Sequence, residues 1–394
     1  MTMEETRKYK QTELGLLPED WEVKRIVDIA TITTGSQNTQ DKVDGGKYPF
    51  YVRSQNVERI DTYIYDTEGV VTAGDGVGTG KIFHRVRGKF GLHQRCYLMH
   101  NLLGVNVDYF YWIFSIRFYE RVMGMTAKSS VDSVRREMIA DMLLPIPPIE
   151  EQRRIASALT SIDNLIDSLD RLIAKKRDIK QGAMQQLLSG KKRLKGFTEP
   201  WVEKKLGDVV TNSIGLTYSP NNVKKYGTLV LRSSNIKNGK LIFEDNVFVE
   251  MSIPERAKVH TNDLLVCVRN GSKALIGKSA VITEDAEGMA FGAFMTILRA
   301  NGIEQIFLNY YWQTDFIQKQ VRDNMGATIN QITNADISDF DIYVPSYLPE
   351  QQAIASVLTS MDNELSALEA KRKKYEQIKQ GMMQQLLTGR IRLI

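Results

Sequence analysis

Cysteine is scarce in this chain of 394 residues: there are two, Cys96 and Cys267. Two thiols so far apart build neither a disulfide framework nor a multi-cysteine zinc knuckle, and they suit a reduced, cytoplasmic setting. Histidine is nearly as scarce. His84, His93, His100 and His260 fall at no spacing that makes a ligand set with cysteine or carboxylate, so no metal is expected. Long apolar runs are missing too. The most apolar stretch, Leu102 to Ile116, is interrupted by Asn106 and Asp108 and falls short of the roughly 18 residues a membrane span needs. Met1 to Lys10 is charged and lacks the apolar centre of a signal peptide. Charge of one sign hardly dominates: 52 Lys and Arg against 47 Asp and Glu leave a net +5, which permits a nucleic-acid partner without arguing for one. With 42% hydrophobic and 25% charged residues, collagen-like, disordered and disulfide-scaffold classes are excluded. The length suggests about two to three domains.

Catalytic constellations are also lacking. Gly74-Asp75-Gly76-Val77-Gly78-Thr79-Gly80-Lys81 invites a phosphate-loop reading but breaks the pattern. The first required glycine falls on Asp75, and Ile82 stands where Ser or Thr is needed. Gly277-Lys278-Ser279 is a near miss, because Gly271 lies one residue too far upstream. Glu22-Val23-Lys24 and Glu203-Lys204-Lys205 carry the Glu-x-Lys half of a nuclease site without an upstream Pro-Asp partner, and read instead as exposed strand edges after a buried Trp. No Asn-Pro-Pro-Tyr-like segment, of the kind that holds a flipped adenine, is present. The chain has the character of a reader rather than a catalyst, with no cofactor of its own.

What is present is a repeat. Glu151 to Leu194 and Glu350 to Leu393 align without a gap, with roughly half of the positions identical. The preceding regions match more loosely. Trp21 to Ile26 answers Trp201 to Leu206, Arg53-Ser54-Gln55-Asn56-Val57 answers Arg232-Ser233-Ser234-Asn235-Ile236, and Tyr111-Trp112 answers Tyr311-Trp312. Each half closes on a proline-rich stretch, Pro145 to Pro148 and Pro345 to Pro349. Nearly identical helices point to a shared partner or to each other; divergent globular parts point to two different targets.

The globular parts carry short apolar and β-branched runs, such as Tyr226 to Leu231, Leu264 to Val268 and Ala293 to Leu298, which read as strands. Asp108 to Val122 and Glu304 to Val321 read as helices, and Trp112 and Trp312 as core. Each half is a mixed α/β domain large enough for its own core. The repeated segments read as long helices of about 38 residues, roughly 57 Å. Ile155, Leu159, Ile162, Ile166, Leu169 and Ile173 alternate steps of four and three, as do Ile354, Leu358, Met361, Leu365 and Leu368. That is a coiled-coil seam, and two such helices bury it most simply as an antiparallel pair. Beyond it Lys176 and Lys180 would occupy the seam, so the phase is read as slipping to Ile179, Ala183 and Leu187, and in the second helix to Ile378, Met382 and Leu386. Lys175-Lys176-Arg177 and Lys371-Arg372-Lys373-Lys374 read as solvated faces.

Reading DNA takes donors and acceptors on loops plus cations for phosphates. The first half concentrates Arg53, Gln55 and Asn56, then Gly76 and Gly78 in the glycine stretch with Lys81, then His93, Gln94 and Arg95. Closely spaced glycines let backbone N–H groups approach a phosphate. The second half offers Arg232, Ser233 and Asn235, then Arg269, Asn270, Lys273 and Lys278, and Asn330 and Gln331 after Gly326-Ala327-Thr328.

Three features carry a family resemblance: the opening Leu17-Pro18-Glu19-Asp20-Trp21-Glu22; the helix entrances Pro147-Pro148-Ile149-Glu150-Glu151-Gln152 and Leu348-Pro349-Glu350-Gln351-Gln352; and the helix ends Ile-Lys-Gln-Gly-x-Met-Gln-Gln-Leu-Leu. With these the chain resembles, over essentially its whole length, the DNA-specificity subunits of type I restriction-modification systems. Gly74 to Gly78 followed by His93-Gln94-Arg95 is similar to one class of target recognition domain. The resemblance implies a non-catalytic subunit with recognition domains at 1–148 and 191–347, each reading half of a split double-stranded DNA sequence. Spacer helices at 149–190 and 348–394 would act as a ruler. It also implies docking of two modification subunits, which bind S-adenosylmethionine and methylate adenine, and of restriction subunits that use ATP and Mg for translocation and cleavage. Two alternatives stay open: a specificity subunit for a methyltransferase without a translocating motor, and a coiled-coil scaffold whose α/β domains bind proteins.

Overall fold

A computed structural model describes residues 8–76, 78–126, 133–326 and 330–394. Val77, Ala327 and Thr328 of the loops above, and Met1 to Arg7 of the charged N-terminal stretch, lie outside the described residues. The chain forms two compact units: Met1–Arg171 with Glu369–Ile394, and Leu172–Leu368.

In the first unit a four-stranded antiparallel sheet runs Thr31–Thr34, Cys96–His100, Gly69–Ala73, Phe83–Val86. Gly69–Ala73 is buried throughout, which explains a continuous small and apolar run without alternation. A second sheet orders Glu58–Ile60, Tyr48–Tyr51, Lys89–Leu92 and Tyr65–Asp66, with Tyr48–Tyr51 parallel to Lys89–Leu92. The helix Val107–Thr126 supplies the core with Phe110, Phe114 and Phe118, whose i, i+4 spacing stacks the rings at 5.5 and 4.9 Å. Trp112 is buried, as its sequence context suggests.

The second unit repeats the antiparallel sheet and the parallel strand pair, but the fourth strand of its mixed sheet, Val223–Lys224, joins the opposite edge, beside Phe248–Val249. Its antiparallel sheet runs Val210–Ile214, Met295–Ala300, Leu264–Cys267, Ser279–Val281, and its mixed sheet pairs Thr228–Leu231 in parallel with Ala290–Phe291. The helix expected over Glu304 to Val321 is broken into Gln305–Tyr311 and Asp315–Asp323. The reason is local: the Thr314 side chain accepts the Ile317 N–H and starts a new helix.

The sheets also align residue by residue. Ala73 is the Cα partner of Cys96, and Cys267 is the partner of Met295. Gly74 N–H donates to the Arg95 carbonyl at 2.8 Å, and Val268 N–H to the Phe294 carbonyl at 3.0 Å. This register makes Asp75 the counterpart of Arg269, and Arg95 the counterpart of Phe294. Each unit also pairs the strand that follows or begins on its tryptophan, Glu22–Arg25 or Trp201–Lys205, with the strand before its long helix, Leu143–Ile146 or Asp341–Pro345. The Glu22 side chain is exposed and paired with Lys24 at 2.6 Å, so the Glu-x-Lys segment is a strand edge.

The long helices are Ile149–Leu187 and Leu348–Leu386, 39 residues each. Residues 149–171 of the first and 369–386 of the second belong to the first unit; the remainder of both belongs to the second. Ile155, Leu159, Ile162, Ile166, Leu169 and Ile173 are buried, as are Ile354, Leu358 and Leu365, while Met361 and Leu368 are half-buried. Within each unit the two segments run antiparallel. In the first, Asp163 pairs with Lys379 and Asp170 with Arg372. In the second, Lys176 pairs with Glu364 at 2.6 Å and Lys180 with Asp362 at 2.5 Å.

These pairs correct the phase slip. Ile179 and Ile378 are 46% and 39% exposed and do not take over the seam. The three-four spacing passes unbroken through Lys176, Lys180, Ala183 and Leu187. The lysines lay their stems along the seam and meet carboxylates of the facing helix. Aromatic faces complete their surroundings: Lys180 lies 5.3 Å from the Tyr310 ring and Lys379 lies 4.9 Å from Trp112. Of the basic runs read as solvated, Lys176 and Arg372 are therefore bridging residues; Lys175, Lys371, Lys373 and Lys374 are exposed.

Candidate nucleic-acid interface

In the first unit, three chain segments meet at one corner of the antiparallel sheet. Arg53 follows the strand Tyr48–Tyr51, Asp75 follows Gly69–Ala73, and Arg95 precedes Cys96–His100. The Asp75 carboxylate accepts from Arg53 Nη1 at 2.6 Å and from Arg95 Nη1 at 2.8 Å. Burial pushes the Asp75 carboxyl up, but the two guanidiniums outweigh it and hold it below the usual range. Asp75 was not among the sequence candidates, since it stands in the glycine stretch with no sign of its partners. Gly76 turns the chain at φ +76°, and a Cβ there would lie 3.8 Å from Arg53 Nη1. Gly78 packs closely: a Cβ would come 2.7 Å from Ile82 Cγ1, and its carbonyl accepts from Lys81 N–H at 3.0 Å. Gln55, Asn56 and Lys81 are exposed. Gln94 donates to Asn38 Oδ1 at 2.5 Å, which adds Asn38 to this surface.

In the second unit the same corner is built from different chemistry. The Arg269 guanidinium lies over the Phe294 ring, 5.0 Å from its centroid. Arg269 bridges to Gln331, Asn270 N–H donates to the Asn330 carbonyl at 3.2 Å, and Asn330 Nδ2 donates to the Gly271 carbonyl at 2.8 Å. Asn270 Nδ2 reaches Ser233 Oγ at 3.0 Å, which ties in the loop after Thr228–Leu231. Arg232 is held by Asp245 at 2.9 Å. Lys273 is exposed on a short 3-10 turn.

Three sequence candidates need correction, because their side chains serve the fold. Asn235 is 0% exposed; it accepts Arg232 N–H at 3.0 Å and donates to the Ile242 carbonyl at 3.1 Å, closing its own loop. His93 is buried, and its Nδ1 accepts Arg95 N–H at 3.0 Å. Lys278 is half-buried with Nζ on the Ser233 carbonyl at 3.3 Å. In the first unit His84 Nε2 does the corresponding work, 2.9 Å from the Ser54 carbonyl. A polar cluster in sequence does not distinguish a side chain that closes a loop from one that faces outward.

Comparison with known proteins matches this repeated architecture twice to one family description, type I restriction modification DNA specificity domain, over residues 18–175 and 198–380. The chain belongs to this family. Each copy of the family's domain contributes one target recognition domain. The type I restriction enzyme MjaVIII specificity subunit of Methanocaldococcus jannaschii is 26% identical, over 96% of this chain and 94% of that protein. The type I restriction-modification S subunit from M. genitalium superimposes with a TM-score of 0.66 at 15% identity, covering 98% of both chains. A chain from a structure concerned with complex assembly and conformational transition of the type I R-M system matches with a TM-score of 0.55 at 17% identity, over 95% of this chain and 99% of that one. Among the described residues, no helix is long and apolar enough to cross a membrane.

Proposed function

We propose that this specificity chain reads a bipartite duplex DNA target, one half with the Arg53–Asp75–Arg95 corner and the other with the Arg269–Phe294 corner. The recognition domains at 1–148 and 191–347 supply the readers, and the paired helices at 149–190 and 348–394 fix the unread gap. The observation that carries this reading is the contrast within the repeat: the same antiparallel sheet order and the same parallel strand pair, with different side chains at the same corner. A protein-binding scaffold gives no reason for one topology to carry arginine and carboxylate in one copy and arginine and aromatic in the other.

The chain itself supplies no catalytic group and holds no cofactor. It directs adenine methylation by two modification subunits that carry S-adenosylmethionine. It also directs restriction by translocase subunits that use ATP and Mg, all in the cytoplasm. The full-length match to specificity subunits of type I enzymes supports this assignment of partners.

The test is selection from random duplex DNA with this chain co-purified with its modification subunit. A bipartite motif with a fixed gap is the expected result. Salt-dependent binding without a motif would leave a nonspecific DNA scaffold, and no binding by an assembled complex would favour a protein scaffold. The ruler is checked separately. Lys176 faces Glu364, so four residues inserted after each stay in register. About 6 Å of added helix lengthens the gap by about one or two base pairs; an unchanged gap defeats the ruler.

A further inference from the structure

We infer that one structural position pair, Asp75 with Arg95 in the first unit and its counterpart Arg269 with Phe294 in the second, is the base-reading dyad of each recognition domain. The dyad reads a guanine in the first half-site and a guanine beside a thymine in the second. The inference rests on the bipartite-reader function and adds the bases to it.

The equivalence is fixed by backbone, not by side-chain likeness. The carbonyls of Arg95 and Phe294 receive the corresponding N–H groups of Gly74 and Val268. The carbonyls of Gly74 and Val268 in turn accept Val134 N–H at 2.6 Å and Ile332 N–H at 3.0 Å. Asp75 and Arg269 then make the same kind of isolated bridge, to Ser133 and Gln331. Each dyad thus sits where three chain segments converge, and the two members touch each other in both units.

The chemistry selects base edges over phosphates. A phosphate clamp has no use for a carboxylate at its centre, yet Asp75 sits between Arg53 and Arg95. Each Asp75 oxygen already accepts one guanidinium donor, and the Asp75 side chain is 18% exposed against 59% for Arg95, so the arginine is the member presented outward. Asp75 fixes the orientation of the Arg95 guanidinium. A guanidinium so held keeps most of its five donors free, and the guanine O6 and N7 pair is its bidentate acceptor in the major groove. In the second unit the Phe294 ring fixes Arg269 by its face instead, and again leaves the donors at the guanidinium edge. Phe294 itself is 55% exposed, an apolar surface at the position of Arg95. The apolar feature of the major groove is the thymine methyl group, which phenylalanine contacts.

The test is to map the sequences methylated by the complete complex carrying the wild-type chain, Phe294→Ala, Arg269→Ala or Arg95→Ala. Phe294→Ala should cut discrimination at a single thymine of one half-site by about tenfold. Arg269→Ala should relax the neighbouring guanine, and Arg95→Ala a guanine of the other half-site, by about tenfold to a hundredfold. The gap stays unchanged in all three. Variants that lower methylation equally on all sequences, or a wild-type half-site without guanine, overturn the dyad while the bipartite reader stands. A wild-type complex with no bipartite motif overturns the reader and the dyad together.

Discussion

Arg392 donates to both carboxylate oxygens of Glu151, at 2.7 Å each. Arg193 grips Glu350 in the same way, at 2.9 Å from Nε and at 2.5 Å from Nη2. Both carboxylates are buried, and each also accepts a tryptophan indole: Trp21 at 3.0 Å from Glu151 and Trp201 at 3.4 Å from Glu350. The neighbouring glutamines repeat as well. Gln152 and Gln351 donate to the carbonyls of Pro147 and Pro345, each at 2.8 Å, and accept the N–H of Asn106 and Glu304, each at 2.8 Å. The Glu-Gln pair opening each repeat is therefore a buried joint between long helix and globular domain.

Arg392→Ala leaves Glu151 buried with its charge uncompensated. Loss of a partner from a fully buried pair costs about 3–5 kcal/mol. The Asp20 side of this guanidinium is open to water, so about 2–4 kcal/mol is expected from urea unfolding of the first unit. Arg193→Ala should destabilise the second unit in the same sense. Adding Glu151→Gln to Arg392→Ala should restore part of the loss; no loss in the single variant would mean that water replaces the guanidinium.

Gly182 and Gly381 stand in the interiors of the two long helices, and a Cβ at either meets nothing within 4 Å. Replacing each by Ala should stabilise by about 0.5–1 kcal/mol, through lower chain entropy in the unfolded state and better helix propensity. Gly35 and Gly215 predict the opposite. A Cβ there would fall 1.9 Å from the Leu92 carbonyl oxygen and 2.2 Å from the Gly292 carbonyl oxygen. Ala at either should destabilise, and thermal unfolding separates the two pairs by sign.

Much of this architecture was legible in the chain. The gapless repeat gave the duplicated unit, and the buried seam from Ile155 to Ile173 followed from apolar spacing alone. Lys176 and Lys180 misled, because a lysine in a seam looks like a break until Glu364 and Asp362 are known to face it. The recognition corner was half legible. Arg53 and Arg95 stood out as cations, but Asp75 joins them only because two strands end where a third begins. Asn235 looked like any exposed amide. Phe294 carried no signal, since its place opposite Arg269 depends on a register no local pattern contains.

Burial pushes the Cys96 thiol up to about 12 and raises that of Cys267. Both lie in central strands and are 0% exposed. At pH 7.5 neither should react with a maleimide in the folded chain, and both should react in denaturant, as read by intact mass. Native labelling of either would show that its sheet opens locally.

His84, His93 and His100 all lie in the first unit, and burial is the main cause that lowers each of them below 6.5. His84 Nε2–H donates to the Ser54 carbonyl, because a carbonyl can only accept. Above pH 6.5 the folded and unfolded chains are alike at these sites. As pH falls through 6.5, the unfolded chain takes up protons that the folded unit refuses, so stability present above 6.5 drains away towards the lower folded values. The second unit has His260, which lies 2.8 Å from Glu287; that contact is the chief cause holding the Glu287 carboxyl at about 2. The stability from Glu287 is present above 4.5 and is lost only as pH falls through about 2. Hydrogen exchange between pH 7.5 and 5.5, corrected for intrinsic rates, should therefore show protection falling in Gly69–Ala73 and Cys96–His100 before Leu264–Cys267 and Met295–Ala300. Equal loss in both units would place the acid-sensitive groups elsewhere. His84→Gln keeps an amide donor for Ser54 without a titrating ring, and should flatten part of the first unit's pH slope.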